Sequence, residues 1–190
     1  ITGNTMSKNY FLIGIYLSSS SNCTISNNIM EKQGIAIMGT SLYHWNTHTI
    51  DTSNTVNGKP VYYWKNVNGG TVPSGAGQII LANCTDVKIE NQNLSYGSEG
   101  IEIGLSSNCS ITGNTITNNF AGIISYSCSN CTIISNKVSN NYQGGIHLDS
   151  CNNCVITRNN ISNNIEGGID IKDSINLNIH YNNIYDLSLI

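Results

Sequence analysis

Residues 111–132 read ITGNTITNNFAGIISYSCSNCT, residues 133–155 read IISNKVSNNYQGGIHLDSCNNCV, and residues 156–178 read ITRNNISNNIEGGIDIKDSINLN. These are successive copies of one unit of 22 or 23 residues, and self-similarity at such a period marks a solenoid. Working outward, residues 89–110 fit with more drift, residues 1–24 and 25–49 fit again, and residues 179–190 open a further copy. Each unit begins with an isoleucine, at 1, 25, 50, 89, 111, 133, 156 and 179. Three residues on stands Asn4, Asn28, Asn114, Asn136, Asn159 or Asn182, with Gln92 in the same slot. Two further on comes Met6, Met30, Leu94, Ile116, Val138, Ile161 or Ile184. A polar turn then leads through glycine to an apolar-x-apolar triplet such as Ile15/Leu17, Ile79/Leu81, Ile146/Leu148 or Ile169/Ile171.

The apolar residues alternate with polar ones at a period of two, which is the signal of strands, and no stripe of period 3.6 is present. Strands of three to five residues bounded by Asn, Gly and Ser turns cannot bury a face alone. Stacking each coil about 4.8 Å above the last pairs the backbone groups and lines the interior with aliphatic columns. The expected fold is all-β: a single-stranded right-handed parallel β-helix of about 7–8 coils, spanning residues 1–190 as one domain. The asparagine column should form an amide ladder along its axis. Both ends fall within the repeat and carry no polar cap, so the expectation is a piece of a longer exported protein. An open strand edge at such an end predicts end-to-end self-association.

One coil breaks the period. Ile50 and Ile89 lie 39 residues apart, so this coil carries roughly 16 extra, in an insert at about residues 54–72. Asn57-Gly58 is a strong hairpin signal, and Pro60-Val-Tyr-Tyr-Trp64 follows it, so an inserted β-hairpin or flap is expected. Together with Trp45, the aromatics Tyr62 and Trp64 are candidates for stacking on sugar rings. The plainer account is that they fasten the insert to the solenoid, since an isolated hairpin is marginal in water.

Eight basic and eleven acidic residues give a net charge of −3, with only 10% of the chain charged. No basic stripe exists to displace counterions from phosphates, which argues against nucleic acid as a partner. No apolar run is long enough to span a bilayer. Cys128-x-x-Cys131 and Cys151-x-x-Cys154 match the spacing of a zinc ribbon. The repeat offers a simpler reading, because Cys131 and Cys154 share a column with Val87 and Leu177, and a position that accepts valine is a packing site. The cysteines are therefore read as interior thiols.

In the triplet strands the intervening residues should face outward. One such column runs Tyr16, Ala36, Ile80, Glu102, Ile124, His147, Asp170, and the next runs Ser18, Met38, Ala82, Gly104, Tyr126, Asp149, Lys172. The last coils thus set His147, Asp149, Asp170 and Lys172 in a two-by-two patch, with Tyr126 and Glu102 below it. A histidine among carboxylates can serve as a general acid or base, and a row of polar groups can hydrogen-bond a linear polysaccharide. A solvated face whose opposite charges pair explains the same residues without a ligand.

The repeat IxxNxIxNNxxGIxL, the stretch Asn54-Thr-Val-Asn-Gly-Lys-Pro-Val-Tyr-Tyr-Trp-Lys-Asn66 and the stretch Gly75-Ala-Gly-Gln-Ile-Ile-Leu-Ala-Asn-Cys-Thr85 together resemble the NosD-like proteins. These are right-handed β-helix proteins with carbohydrate-binding and sugar-hydrolase (CASH) repeats, frequent among exported and surface proteins. The resemblance implies an exported location, periplasmic, cell-surface or secreted, and a polysaccharide or a cell-surface protein as partner. NosD itself is a periplasmic accessory protein in copper-site maturation, and related β-helices include polysaccharide lyases and uronate epimerases. Copper is not indicated, because no outward cluster of Cys, Met or His is present, and calcium is not indicated, because no second acidic pair completes a site. The reading is a non-catalytic exported module that binds polysaccharide or surface partners on an exposed sheet face. The alternatives are a lyase or epimerase built on His147, Asp149, Asp170 and Lys172, and a copper accessory protein of the NosD kind.

Overall fold

The computed structural model describes residues 1–7 and 12–185. It is an all-β parallel solenoid of about 8 turns. The triplet strands and the strand of the insert are labelled β1 (Ile13–Ser18), β2 (Gly34–Met38), β3 (Lys59–Lys65), β4 (Gln78–Ala82), β5 (Glu99–Gly104), β6 (Ala121–Tyr126), β7 (Ile146–Asp149) and β8 (Ile169–Lys172), of which β1 and β2 form a two-stranded sheet of their own. Strands β3 to β8 pair in order and in parallel. Two further walls of five strands each run alongside, from Lys88–Glu90 to Asn178–His180 and from Asn93–Ser95 to Asn183–Tyr185.

The aliphatic columns face inward as expected. Ile79, Ile101, Ile123 and Ile146 stack with Leu81, Ile103 and Leu148, and with Ile89, Ile111, Ile133 and Ile156 from the second wall, in one buried cluster. Each contributes roughly 1.5–3 kcal/mol by burial. Cys84, Cys109, Cys128, Cys131, Cys151 and Cys154 belong to the same cluster as free thiols. Burial pushes the Cys84 thiol above its ordinary value.

The asparagine column forms the expected ladder. Asn114 Nδ2 donates to Asn136 Oδ1 at 3.0 Å, Asn136 Nδ2 to Asn159 Oδ1 at 3.0 Å, and Asn159 Nδ2 to Asn182 Oδ1 at 2.9 Å. A second ladder joins Asn119, Asn141 and Asn164, residues that read in the sequence as a polar turn. The corners between walls need left-handed backbone. Asparagine fills many of them, as at Asn108, Asn130 and Asn153, because its short side chain tolerates that region best among non-glycine residues.

The inserted hairpin is present. Thr55–Val56 pairs antiparallel with Lys59 and Pro60 around Asn57 and Gly58, both at positive φ as a type I′ turn requires. Its second arm, β3, does not stand off as a flap. Tyr62 pairs with Ile79 and Trp64 with Leu81, each seventeen residues on, and parallel bridges Asn68↔Thr85 and Thr71↔Lys88 keep the same interval. The insert is therefore a short coil of its own that begins the stack continued by β4 to β8. Tyr62 and Trp64 pack against the solenoid core from that coil, which accounts for them as structural residues.

The first two coils have a separate apolar core, made of Ile15, Leu17, Ile25, Met30, Ile35, Ile37, Trp45, Ile50, Val56 and Val61 with Ile80 and Ala82. Ile80 and Ala82 belong to the outer face of β4. Strand β2 thus does not stack end-on beneath β4; it lies across the outside of the β4–β5 wall. Its free edge is met by side chains from that wall. Gln78 Oε1 accepts from Ile35 N–H at 2.9 Å, Ser98 Oγ donates to Ile35 O at 2.9 Å, and Glu102 Oε1 accepts from Ile37 N–H at 3.0 Å. These bonds satisfy backbone groups that a missing neighbour strand would otherwise leave unpaired.

Candidate functional site

Where β1 and β2 overhang the outer face of β5 to β8, a cleft of about 370 Å³ opens. Tyr16 and Met38 line it from the overhang, and Phe120, Ile124, Tyr126, His147 and Asp170 line it from the wall. Glu99, Gln143 and Glu166 complete its polar lining. The volume lies within the range of small-ligand sites, and the mixture of aromatic faces and a few polar groups is the composition such sites have.

The expected register of the outward residues is met. His147 pairs with Asp170, Asp149 with Lys172, and Tyr126 with Asp149. His147 Nδ1 lies 2.6 Å from Asp170 Oδ2, and both residues line the cleft. Lys172 Nζ donates to Asp149 Oδ2 at 3.0 Å. Slight burial works against ionisation of Asp149, but hydrogen bonds from Ser150 and Lys172 hold its carboxyl below the ordinary value. Asp149 and Lys172 are not among the residues that line the cleft, so the two-by-two patch divides into a pair facing it and a pair beside it.

Glu102 does not face water. It occupies the outward position that alternation assigns, but β2 covers it, and it is 1% exposed with its carboxylate on Ile37 N–H. Burial, and then the charge of Glu99, push Glu102 well above the ordinary carboxylate value. Trp45 is wholly buried as well. It sits in the one-turn helix Tyr43–Asn46, donates from Nε1 to Gly39 O at 2.7 Å, and packs on Gly104, where an added Cβ would fall 2.2 Å from its ring. It cannot stack on a ligand; its role is to seat the overhang.

Tyr126 is the aromatic of the expected set that does line the cleft. Its ring lies 5.6 Å from that of Trp45 and 6.1 Å from that of His147, and burial pushes its phenol well up. Sequence reasoning passed over Glu99, which opens β5 within the stretch Gly-Ser-Glu-Gly just ahead of the triplet of its coil. Glu99 is 5% exposed, and its Oε2 and Thr157 Oγ1 are the buried side-chain oxygens without a hydrogen-bond partner among the described residues. Burial raises its carboxyl to about 7. A buried acid poised near neutrality and lining a cleft is characteristic of functional sites. Among the described residues, no group of three or more His, Cys, Asp or Glu side chains is placed to hold a metal ion. Among the described residues, no helix is long and apolar enough to cross a membrane.

Comparison with known proteins agrees with this architecture. Residues 77–188 match the family model "right handed beta helix region", and the chain belongs to that family of repeat proteins. The match begins at the coil that opens with β4. Among solved structures, PfbA, a surface adhesin of Streptococcus pneumoniae, is similar at 18% identity and a TM-score of 0.44, covering 97% of this chain. The alignment takes in 59% of that adhesin's chain, so this chain spans about three fifths of its length. No curated protein matches the sequence.

Proposed function

We propose that the protein is an exported, non-catalytic binding module that holds a short segment of a saccharide chain in the cleft between the overhang and the β5–β8 wall. The observation that carries this reading is the cleft itself: Tyr16, Phe120 and Tyr126 offer flat apolar faces, while Gln143, His147 and Asp170 offer hydrogen-bonding groups at its margin. Aromatic faces cover the C–H faces of sugar rings, and side-chain amides and carboxylates accept and donate to ring hydroxyls. The resemblance of Asn54–Asn66 to NosD-like proteins with carbohydrate-binding repeats supports both the ligand class and the exported location. Electrophoresis through gels cast with soluble polysaccharides tests the reading. At least one polysaccharide should retard the protein, Tyr16→Ala and Tyr126→Ala should release it, and Lys172→Ala, beside the cleft, should not. Retardation unchanged in both tyrosine variants would place binding elsewhere.

The dyad of His147 and Asp170, with near-neutral Glu99 in the same cleft, favours a second reading: a saccharide-cleaving enzyme in which these groups move protons. That reading requires new reducing or unsaturated ends from the retained polysaccharide, and their loss in His147→Ala with the thermal melt unchanged.

A further inference from the structure

Building on the saccharide reading of the cleft, we infer that the group it selects is a primary ammonium, so that its ligand is an amino sugar and not a uronate. The charge of the lining is one-sided. Glu99, Glu166 and Asp170 line the cleft, and no lysine or arginine does so among the described residues. The nearby cation Lys172 is tied to Asp149 outside it. A uronate would bring a carboxylate among three others with no lysine or arginine among the described residues to meet it and with His147 already engaged by Asp170, and an unpaired charge in a partly enclosed site is costly.

An ammonium meets complementary partners instead. It carries three N–H donors; Glu166 and Asp170 line the cleft with carboxylates open to solvent, and Glu99 lines its inner side with a partnerless Oε2 turned away from water, which its carboxyl brings to an entering donor by rotating. The carboxylate behind it, Glu102, is already engaged by Ile37 N–H, which leaves Glu99 as the acceptor for an entering donor. Tyr16, Phe120 and Tyr126 add ring faces that attract a cation. Among the described residues, the titratable groups facing this position are Glu102, His147, Glu166, Asp170, Tyr16 and Tyr126. Because burial holds Glu99 near neutrality, a cation beside it draws off its proton, so binding releases a proton.

The test is calorimetric titration at neutral pH with four probes: the trimer of glucosamine, its fully N-acetylated form, the trimer of galacturonate, and spermidine as an ammonium without a sugar. The glucosamine trimer should bind about tenfold or more tighter than the N-acetylated trimer, with a binding heat that varies with the ionisation heat of the buffer. The galacturonate trimer should not bind. Glu99→Gln, of the same shape, should remove both the preference and the proton release. Asp170→Asn, at a solvent-facing carboxylate, should weaken the preference in a chain whose fold is not at risk. Equal binding of the glucosamine and N-acetylated trimers, or any binding of galacturonate, overturns the ammonium inference and leaves the saccharide reading standing. Spermidine bound through Glu99 with no saccharide bound supports the ammonium inference and removes the saccharide reading. No heat from any probe removes both.

Discussion

Replacing Asn136 with alanine should cost about 2 kcal/mol, although the residue touches no candidate ligand. Asn136 is 1% exposed and its amide has five hydrogen-bonding partners, the two Nδ2 hydrogens being shared among three acceptors. Its Oδ1 accepts from the backbone N–H and from Nδ2 of Asn114, at 2.9 and 3.0 Å. Its Nδ2 donates to Ile111 O at 2.9 Å, to Ile134 O at 3.1 Å and to Asn159 Oδ1 at 3.0 Å. Some of those partners keep other bonds in the variant. Asn114 Nδ2 still donates to Ile89 O, and Asn159 Oδ1 still accepts from the backbone N–H of residue 136. The Ile111 carbonyl keeps its place in the strand ladder opposite residues 132–134, so the Asn114 backbone N–H is the group left without a partner, and a buried polar group left unmet costs about 1–3 kcal/mol. That one group gives the quoted figure. Urea unfolding followed by far-ultraviolet circular dichroism measures it, with Asn160→Ala as control, since that exposed neighbouring asparagine should change stability by less than about 0.5 kcal/mol. An unfolding free energy for Asn136→Ala within about 1 kcal/mol of the parent would refute the ladder as a source of stability.

Three further outcomes are expected. Gly104→Ala should expel Trp45 from its seat, because the new Cβ falls 2.2 Å from the indole; the cost is about 1–3 kcal/mol, read as a red shift and loss of tryptophan emission. Folding raises the Glu99 carboxyl from 4.5 to about 7, so the folded state binds the extra proton: its stabilising share is complete below pH 4.5 and is lost as pH rises through about 7. Stability should therefore fall across that window by about 3 kcal/mol more in the parent than in Glu99→Gln, and parallel pH profiles of the two melts would count against the burial argument. Finally, the last coil leaves Ile171, Ile175, Ile179 and Ile184 exposed, so the 190-residue chain should associate end to end in a concentration-dependent way, with Ile175→Lys reducing it in sedimentation velocity.

From the coil of β4 onward the molecule was legible almost residue by residue. Inward isoleucines, the ladder from Asn114 to Asn182, the buried cysteines and the pairing of His147 with Asp170 all follow from a period of 22 or 23 with alternation inside it. The second ladder escaped because Asn119, Asn141 and Asn164 fall where a turn is expected, and turn asparagines ordinarily meet solvent. The cleft was not legible at all. Column counting sets Tyr16 five rungs from His147, roughly 24 Å away at 4.8 Å per rung, yet both line one site. A repeat sequence specifies what each coil buries, not whether the next coil continues the pile or lies across its flank. That choice was made by the short coil from Lys59 to Gly77, whose Pro-Val-Tyr-Tyr-Trp strand matches no repeat column. Glu102 shows the same limit at a single residue. Alternation gave its direction, and only the placement of β2 decides that this direction leads to a backbone N–H instead of to water.

The short coil also gives the molecule an address. A rod of equivalent rungs has near-translational symmetry, and a polymer laid along it gains as much at one step as at the next, so it slides. By shifting the first two coils off the axis, the insert sets a wall across that track at β5 to β8 and makes one position unlike all the others. Changing the length of that one coil would move the wall along the rod, which makes loop length rather than side-chain chemistry the variable that decides where on the surface a chain can be held.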